Sequence, residues 1–419
     1  MKDVVSGCCD RHTDDLVPYD DVRARLLSLV HATGVTASVP LADALGMTLH
    51  ADVNAAMSMP PRDNSAVDGY ALGPPGPSDS YNVQARIAAG DTAKGQQLAA
   101  GQAVRIFTGA PIPKGTFGVA MQEDATRDGD QVQFRSTTSK GQHIRRAGED
   151  FAAGEMLIPA GSVLDPRHIA ILAATGQTKI PALAPIRVAI FSSGKELCDP
   201  DTPLGPAAIH DSNRWMLRAL LSGPSIQVLD YGILPDNRDA IADTLKKAAQ
   251  EADLILSTGG VSVGEEDHVY AALGQAGGTP EQSRMAVKPG KPAVFGRLGR
   301  ALFIGLPGNP VAALVSFTLL ARPCLDVLSG RTPAALQPAT GIAGFDWSRK
   351  PGRVEYFPAK ISGLTADGMP VLQRLGQGGS ALLQPLIAAD GLARLDRGVD
   401  TIATGDRLDW FGFRAGFAL

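Results

Sequence analysis

Apolar and polar positions divide the chain into segments of different periodicity. The segment "VPYDDVRARLLSLVHATG" (17–34) carries apolar residues at helical spacing and ends in glycine, which predicts a first helix. From about residue 75 to 144, short alternating runs are separated by Gly, Pro and Asp turns, which predicts a mostly β module. A further helix is expected in "LDPRHIAILAATG", with Asp165 as its N-cap and Pro166 at its first position.

The periodicity changes again after Pro185. Apolar runs such as "IRVAIFSSG", "IQVLDYGIL", "ADLILSTGG" and "RALFIGLPG" predict strands, and helical patterns lie between or after them. Alternation of strand and helix favours a doubly wound, mainly parallel sheet. Beyond Gly330, "RTPAALQPAT" has the composition of a linker, and the short runs after it predict a small β barrel or sandwich.

These patterns predict an α/β multidomain protein: a doubly wound α/β domain, a mostly β N-terminal module and a small C-terminal β-barrel. The expected boundaries are a disordered tail at 1–17, a helical and mixed N-terminal domain at 18–53 and 145–184, and an inserted mostly β domain at 54–144. The α/β domain is expected at 185–330 and the C-terminal domain at 335–419.

Composition narrows the functional class. The 419-residue chain has a net charge of −4, which gives no general attraction to nucleic acid or to an anionic membrane. No apolar run is expected to reach the length of a membrane span, and the polar, acidic N-terminus fits neither a secretory signal nor a transit peptide. The sequence therefore predicts a soluble cytoplasmic protein with no nucleic-acid or membrane partner.

Cysteine and histidine usage points away from disulfide and zinc chemistry. Cys8, Cys9, Cys198 and Cys324 form no CxxC motif and no close, even spacing. "CCDRH" (8–12) could bind a soft metal, but a tail with incidental thiols is favoured. No HExxH motif or GxxxxGK[ST] loop is present.

Polar and glycine-rich residues cluster where the predicted α/β strands end, which is the edge where open α/β sheets bind ligands. The clusters are Ser192-Ser193-Gly194-Lys195-Glu196, Thr258-Gly259-Gly260 with Gly264, and Gly308-Asn309-Pro310. The glycines would let backbone N–H groups close around a phosphate. Behind the second cluster, Glu265, Glu266 and Asp267 suit Mg²⁺, which prefers oxygen ligands.

The third cluster is a strand–turn–helix joint. Asn309 can cap the helix and Pro310 can take its first position, which would leave the N–H groups of the first turn for an anion. An ordinary structural joint is the alternative, and this motif alone does not separate the two.

Charged residues in loops complete the chemical inventory. Arg284, Lys288 and Lys291 lie in or beside the Pro-Gly turn of "SRMAVKPGKPAVFG", where they could offset the acidic overall charge. Loop carboxylates are frequent, namely Asp68, Asp150, Glu196, Asp236 and Asp267. From the residues alone, we predict a Mg²⁺-assisted enzyme for a phosphorylated, nucleotide-containing anion.

The stretch "PPRDNSAVDGYAL" (60–72) concentrates turn-forming residues. Proline and glycine interrupt a helix, and Asp, Asn and Ser favour turns, so a non-helical loop is expected. We expect Asp68 to present its carboxylate beside Gly69, whose missing side chain would let a ligand approach closely.

Taken together, the motifs resemble the molybdopterin molybdenumtransferase family, the bacterial MoeA family that also includes the E domain of gephyrin. They occur in the family's order and span nearly the whole chain from Pro18: "PPRDNSAVDGYAL", "FTGAPIPKG", "RRAGEDF", "FSSGKEL", "STGGVSVGEEDH", "VKPGKP" and "GLPGNPVAALVSF". The resemblance implies a reaction in which molybdenum from molybdate enters adenylylated molybdopterin and AMP is released, with Mg²⁺ as cofactor.

The resemblance also implies site residues. The implied catalytic residues are Asp68, Thr108, Asp150 and Lys288. The implied cofactor-binding residues are Ser193, Gly194, Glu196, Asp236, Thr258, Gly259, Gly260, Ser262, Gly264, Arg284, Pro307, Gly308, Asn309, Pro310 and Ser380. The implied metal ligands are Glu196 and Asp267.

Partners follow from the same resemblance. Family members are elongated homodimers whose site joins one subunit's α/β domain to the other's N-terminal domains, so Asp68, Thr108 and Asp150 would come from the second chain. Besides molybdate and adenylylated molybdopterin, the molybdopterin adenylyltransferase and molybdoenzyme chaperones are candidate partners.

Departures from the family pattern leave alternatives open. Val67 replaces the usual Met, Arg284 stands where Lys is common, and Lys195 replaces an Asp that would serve the Mg²⁺ side. A non-catalytic cofactor-binding scaffold and a Mg²⁺-dependent nucleotide pyrophosphatase are the alternatives. The retained carboxylates disfavour the scaffold, and "SAVDGYAL" disfavours the pyrophosphatase.

Overall fold

The structure, a computed structural model, describes residues 16–93, 95–261, 268–376 and 379–413. It divides into two units. The first consists of Met1–His50, Gly161–Pro166 and Ile180–Leu419, and the second of Ala51–Ala160 and Arg167–Lys179. The metal-binding alternative at Cys8, Cys9 and His12 lies outside the described residues.

The helices of the described residues fall mainly in the α/β region. They are α1 (Tyr19–Leu27), α2 (Pro166–Ala174), α3 (Ser212–Leu220), α4 (Arg238–Glu251), α5 (Val269–Gln275), α6 (Pro310–Ser316), α7 (Arg322–Leu328) and α8 (Leu383–Ala388). A π-helical segment, Phe317–Ala321, joins α6 to α7. Short 3-10 turns lie at Leu41–Asp43 and Gln122–Asp124.

The joined helix Pro310–Leu328 is long and apolar enough to cross a membrane by length and composition alone. The expectation that no apolar run reaches this length was therefore wrong. Because 72% of this stretch is buried inside the protein, packing in the core explains its apolar character.

The N-terminal part of the chain is rich in short strands. They are β1 (Thr36–Pro40), β2 (Val53–Asn54), β3 (Asn64–Ser65), β4 (Gly69–Leu72), β5 (Ser80–Ile87), β6 (Gln102–Ile106), β7 (Gly118–Met121), β8 (Ala125–Asp128), β9 (Gln131–Phe134), β10 (Ile144–Arg145), β11 (Met156–Ile158) and β12 (Lys179–Leu183). A sheet in the order β7-β4-β6-β5-β9-β8 forms the centre of the second unit. The mostly β module is thus confirmed.

The α/β region contributes its own strands. They are β13 (Ile186–Ser193), β14 (Leu197–Cys198), β15 (Ile209–His210), β16 (Ile226–Leu234), β17 (Leu254–Thr258), β18 (Thr279–Arg284), β19 (Val287–Lys288), β20 (Pro292–Leu298) and β21 (Ala301–Leu306). The sheet order is β16-β13-β17-β21-β20-β18. Strands β16, β13, β17 and β21 are parallel. Strand β20 runs antiparallel to β21, and β18 runs antiparallel to β20.

Helices cover both faces of this sheet, which confirms the doubly wound prediction. One face packs on Leu217 of α3 and Val315 of α6, and the other on Leu245 of α4 and Val269 of α5. The strands are nearly continuous apolar runs because both of their faces are buried.

The C-terminal strands close into a barrel. They are β22 (Ala339–Ala343), β23 (Trp347–Ser348), β24 (Val354–Leu364), β25 (Pro370–Arg374), β26 (Gly391–Leu395), β27 (Thr401–Ile402) and β28 (Arg407–Gly412). Strand order β24-β25-β22-β28-β26 returns to β24, so the ring is complete and the barrel prediction is confirmed. Strand β19 of the α/β region adds to β24 in parallel.

Candidate functional site

A topological switch point lies between β13 and β17. The chain leaves β13 for β16 on one side and then returns to β17 on the other, so their carboxyl ends diverge into a crevice. Ser193 ends β13 and Thr258 ends β17, and both side chains are buried. The structure therefore brings the first two glycine-rich clusters together at the ligand-binding edge of the sheet.

Glycine is required where these loops meet. Gly259 has φ +87°, and a Cβ there would lie 2.4 Å from the carbonyl oxygen of Ser193. A Cβ on Gly260 would lie 2.8 Å from Ser193 Oγ. Side chains at these positions would force the two strand ends apart, so the glycines keep the backbones in direct contact.

Asn213, in the first turn of α3, connects the ends of β17 and β21. Its Nδ2 donates to Thr258 Oγ1 at 2.8 Å and to the carbonyl oxygen of Gly308 at 2.7 Å. Thr258 Oγ1 in turn lies 3.4 Å from the carbonyl oxygen of Pro307. Sequence reasoning missed Asn213, although a polar side chain in the first turn of a helix after a strand-end loop was an available signal.

Two buried polar atoms in the crevice lack a partner among the described residues. They are Ser193 Oγ and Asn213 Oδ1. A buried polar group without a hydrogen bond is costly, so such atoms mark a place where a ligand or water completes the bonding. The crevice is suited to a polar ligand.

Glu196 lies on the loop after β13, and its carboxylate contacts Gly194. A Cβ on Gly194 would meet Glu196 Oε2 at 2.8 Å. The Glu196 carbonyl accepts a hydrogen bond from the Ile209 N–H at 2.8 Å, which ties this loop to the start of α3. Asp236 is half-buried in the corresponding loop after β16, the strand next to β13.

A buried arginine anchors the segment after Glu196. Arg214 contacts three carboxylates: its Nε donates to Asp211 at 3.1 Å, its Nη1 to Asp230 at 2.7 Å, and its Nη2 bonds to Asp199. Burial works against the charged guanidinium, but Asp230 and the other carboxylates outweigh it and raise the pKa of Arg214. The arginine is therefore a fixed cation that holds the loop to α3.

The described residues contain no group of three or more His, Cys, Asp or Glu side chains able to hold a metal. Mg²⁺ commonly uses only one or two protein carboxylates together with substrate phosphates. Glu196 fits that limited role. Asp267, its predicted companion ligand, lies outside the described residues, as do Glu265, Glu266, Ser262 and Gly264.

The joint after β21 differs from the expectation in one respect. Asn309 occupies the N-cap position of α6 but makes no side-chain cap bond; instead its Nδ2 donates to Ser380 Oγ at 2.9 Å. The Val311 N–H donates to the Ser380 carbonyl at 3.1 Å. The prediction of a side-chain cap by Asn309 was thus wrong, because the Asn309 side chain and the Val311 N–H of the first turn both bond to Ser380 of the C-terminal domain. Pro310 does occupy the first helical position.

The basic loop of 284–291 joins the α/β region to the barrel. Arg284 ends β18, and Lys288 pairs across β19–β24 with Glu355. Lys288 Nζ lies 3.0 Å from Glu355 Oε1. Gly290, at φ +110°, packs against α6, because a Cβ there would lie 2.9 Å from Ser316 Oγ. The loop therefore packs, through Gly290, against the C-terminal end of α6.

In the second unit, Asp68 and Thr108 are directly bonded. Asp68 Oδ1 accepts from the Thr108 N–H at 2.7 Å and from Thr108 Oγ1 at 2.8 Å. The backbone bond, then the hydroxyl bond, and more weakly Arg105, lower the pKa of Asp68. This carboxylate is accordingly ionised near neutral pH.

Three segments of the second unit pack together around this pair, namely residues 59–68, 108–110 and 146–150. The N–H of Ser65 donates to Ala110 at 2.9 Å, and the N–H of Asp150 donates to Met59 at 3.0 Å. The exposed Asp150 side chain thus lies on a segment bonded to the stretch 59–68 that carries Asp68.

Asp63 bonds to the segment 146–150, which carries Asp150. It accepts from the Ala147 N–H at 2.9 Å and from Arg146 Nη1 at 2.6 Å. Burial favours the neutral form of Asp63, but these two donors outweigh it and lower its pKa. Sequence reasoning did not single out Asp63, although it lies in the stretch 60–72 that was expected to form a non-helical loop.

The expected role of Gly69 was wrong. Gly69 is buried in β4 between β6 and β7, and a Cβ there would lie 1.8 Å from the carbonyl oxygen of Ala120. Its missing side chain makes room for the neighbouring strand and not for a ligand. Asp68 is placed by the strand that begins beside it.

Comparisons with known proteins agree along the chain. Residues 17–176 match the family described as "MoeA N-terminal region (domain I and II)", residues 189–327 "Probable molybdopterin binding domain", and residues 340–413 "MoeA C-terminal region (domain IV)". A molybdopterin molybdenumtransferase of Haemophilus influenzae is 32% identical over 395 residues, which covers 93% of this chain and 97% of the relative. One from Nostoc sp. is 38% identical over 305 residues, 70% of each chain.

Solved structures show the same architecture. A crystal structure of a molybdopterin biosynthesis moeA protein from Pyrococcus horikoshii is 27% identical, covers 94% of this chain and 100% of its own, and has a TM-score of 0.78. Sequence and structure thus agree from the first helix to the barrel, and the chain belongs to the MoeA family of molybdopterin molybdenumtransferases.

Proposed function

We propose that this protein acts in molybdenum cofactor biosynthesis, where it inserts molybdenum from molybdate into adenylylated molybdopterin and releases AMP. The observation that carries the proposal is the crevice between β13 and β17. Backbones meet there at Gly259, and Ser193 Oγ and Asn213 Oδ1 are buried without partners among the described residues. Closely packed loops with polar groups at strand ends suit a phosphate-bearing ligand.

The residues have separable roles in this proposal. Ser193, Thr258 and Asn213 bind and orient the phosphate end of the substrate. Lys288 and Arg284 attract molybdate, which is a dianion, by charge. Asp68, with its lowered pKa, is ionised and acts at the reacting end as a hydrogen-bond acceptor.

Mg²⁺ belongs to the same proposal. Glu196 would hold the ion together with Asp267 and the substrate phosphates, in keeping with the few protein ligands that Mg²⁺ uses. The ion would supply neutralisation of phosphate charge. Lys195, in place of the carboxylate common in the family, leaves Glu196 as the acidic group of this loop.

We further propose a cytoplasmic homodimer. In such an assembly Asp68, Thr108 and Asp150 of one copy would act with the α/β domain of the other. The molybdopterin adenylyltransferase, which would supply the substrate, and molybdoenzyme chaperones, which would take the product, are the proposed protein partners.

The test is AMP release by the purified protein. We expect AMP from adenylylated molybdopterin when Mg²⁺ and molybdate are both present, and little when molybdate is omitted or Mg²⁺ is chelated. Asp68→Ala should abolish turnover while circular dichroism stays that of the wild type. AMP release that ignores molybdate would favour a pyrophosphatase, and tight binding of substrate without AMP release would favour a scaffold.

A further inference from the structure

A buried carboxylate lies against the lysine that the proposed function assigns to molybdate. Glu355 is on β24, where it is 3% exposed, and the parallel pairing of β19 with β24 places it opposite Lys288. A carboxylate this deeply buried requires positive partners, because charge is poorly tolerated away from water.

The two oxygens of Glu355 are divided between two cations. Oε1 lies 3.0 Å from Lys288 Nζ, and Oε2 lies 3.2 Å from Arg349 Nη1. Arg349 is also fixed by the backbone, since its Nη1 donates to the Arg353 carbonyl at 2.9 Å. Arg349 therefore keeps the Arg353 carbonyl as a partner when Glu355 is replaced, whereas Lys288 loses its contact with Oε1.

Cations outnumber the carboxylate at this place. Burial lowers the pKa of the nearby Arg374, and the charge of Glu355 acts in the opposite direction. Lys288 and Arg349 thus share the one negative charge of Glu355, which leaves a positive balance that favours an anion. The Lys288 side chain is 39% exposed, and an ammonium group has three N–H donors, so donors remain for a ligand.

We infer that Glu355 is a positioning residue for the oxyanion: it fixes the ammonium group of Lys288 from the barrel side, so that the remaining N–H donors of the lysine bind the tetrahedral dianion. This inference rests on the proposed function. A free lysine loses rotamer freedom when it binds a ligand, and a charge-assisted bond formed in advance removes part of that cost.

The test compares Glu355→Gln with Glu281→Gln in the AMP-release assay. Glu281 also pairs with a cation, Arg25, at the surface, which makes it a matched control. We expect Glu355→Gln to raise the KM for molybdate about tenfold and to change kcat by less than about twofold, with Glu281→Gln like the wild type. An unchanged KM in a folded Glu355→Gln protein would overturn the inference.

A double-mutant cycle separates positioning from a general structural effect. If Glu355 acts through Lys288, adding Glu355→Gln to Lys288→Met should change the molybdate KM no further. Equal effects in both backgrounds would contradict the inference. Should Glu355→Gln fail to fold, Glu355→Asp keeps the charge for Arg349 but shortens the reach to Lys288, so wild-type KM in that variant would overturn it.

Failure of the proposed function would look different. In that case the wild type would release no AMP in response to molybdate. Calorimetric binding of molybdate alone to the wild type and to Glu355→Gln would still test the inference, with about tenfold weaker binding expected in the variant.

Discussion

Thr108 donates two hydrogen bonds to one oxygen of Asp68, from its N–H at 2.7 Å and from its hydroxyl at 2.8 Å, although 40 residues separate them in the chain. Both bonds favour the ionised carboxylate, and together they lower the pKa of Asp68. The threonine therefore favours the ionised form of the acid that the proposed function places at the reacting end.

Replacing Thr108 by valine should raise the pKa of Asp68 toward its ordinary value. The change removes the hydroxyl bond and keeps the backbone bond and the side-chain shape. NMR titration of the Asp68 carboxyl group measures this. Thr116→Val is the matched control, because the Thr116 hydroxyl donates to the Pro113 carbonyl instead. An Asp68 pKa that stays low in Thr108→Val would contradict this account.

The same pair predicts how stability depends on pH. Because the folded-state pKa of Asp68 is lowered, its contribution is present above the unfolded-state pKa and is lost as pH falls through the folded-state pKa. The difference in unfolding free energy between wild type and Thr108→Val should therefore shrink in acid. Denaturant unfolding at several pH values measures it, and a difference that grows in acid would be inconsistent.

Gly259→Ala should destabilise the protein more than Gly299→Ala. Both glycines have positive φ, +87° and +59°, but a Cβ meets a backbone oxygen at 2.4 Å in the first case and nothing within 4 Å in the second. We expect a loss of about 1 kcal/mol for Gly299→Ala and about 3 kcal/mol for Gly259→Ala. Chemical denaturation gives both values, and equal losses would show that the contact with Ser193 is unimportant.

Asn213→Ala should weaken binding of AMP about tenfold, because Thr258 Oγ1 and the Gly308 carbonyl lose their shared donor. Calorimetry with AMP measures the affinity. The control is Asn237→Ala, which removes the side-chain cap of α4 and should lower stability by about 1 kcal/mol with no change in AMP affinity. If both variants bound AMP alike, the bridging role of Asn213 would be excluded.

Arg214→Met should lower the free energy of unfolding by about 3 kcal/mol, since it leaves the buried Asp211 without this cation and removes one of the two arginines paired with Asp230. Arg25→Met is the control, because the Arg25 side chain is 58% exposed in its pair with Glu281 and its loss should have a much smaller effect on stability. Equal losses in urea unfolding would indicate that the buried cluster is not special.

The pH dependence of the Arg214 effect has a definite sign. Burial favours neutral Asp230, but the Gly232 N–H, Arg218 and Arg214 outweigh it and lower its pKa. The stabilisation is present above the unfolded-state pKa and is lost as pH falls through the folded-state pKa. The cost of Arg214→Met should therefore decrease in acid, which unfolding curves at neutral and acidic pH can check.

Local pattern was sufficient for the elements and their order. Runs of apolar residues predict strands such as Leu254–Thr258 because a strand covered on both faces must be apolar along its length. Alternation with helices then restricts the topology to a parallel, doubly wound sheet, whose strand ends gather the glycine-rich loops. These properties depend on residues that are close together in the chain, so they can be predicted from a single sequence.

Contacts between distant segments were decided by the tertiary structure alone. Asn309 fits a helix cap by its position, yet its side chain bonds to Ser380, 71 residues away. Gly69 appeared open to a ligand, yet the strand containing Ala120 fills that space. Asn213 and Glu355 carry no motif, and their importance arises from Thr258 and Lys288, which only the folded chain brings to them. The pattern of burial is a local property of the sequence, whereas the choice of hydrogen-bond partner depends on how whole layers pack.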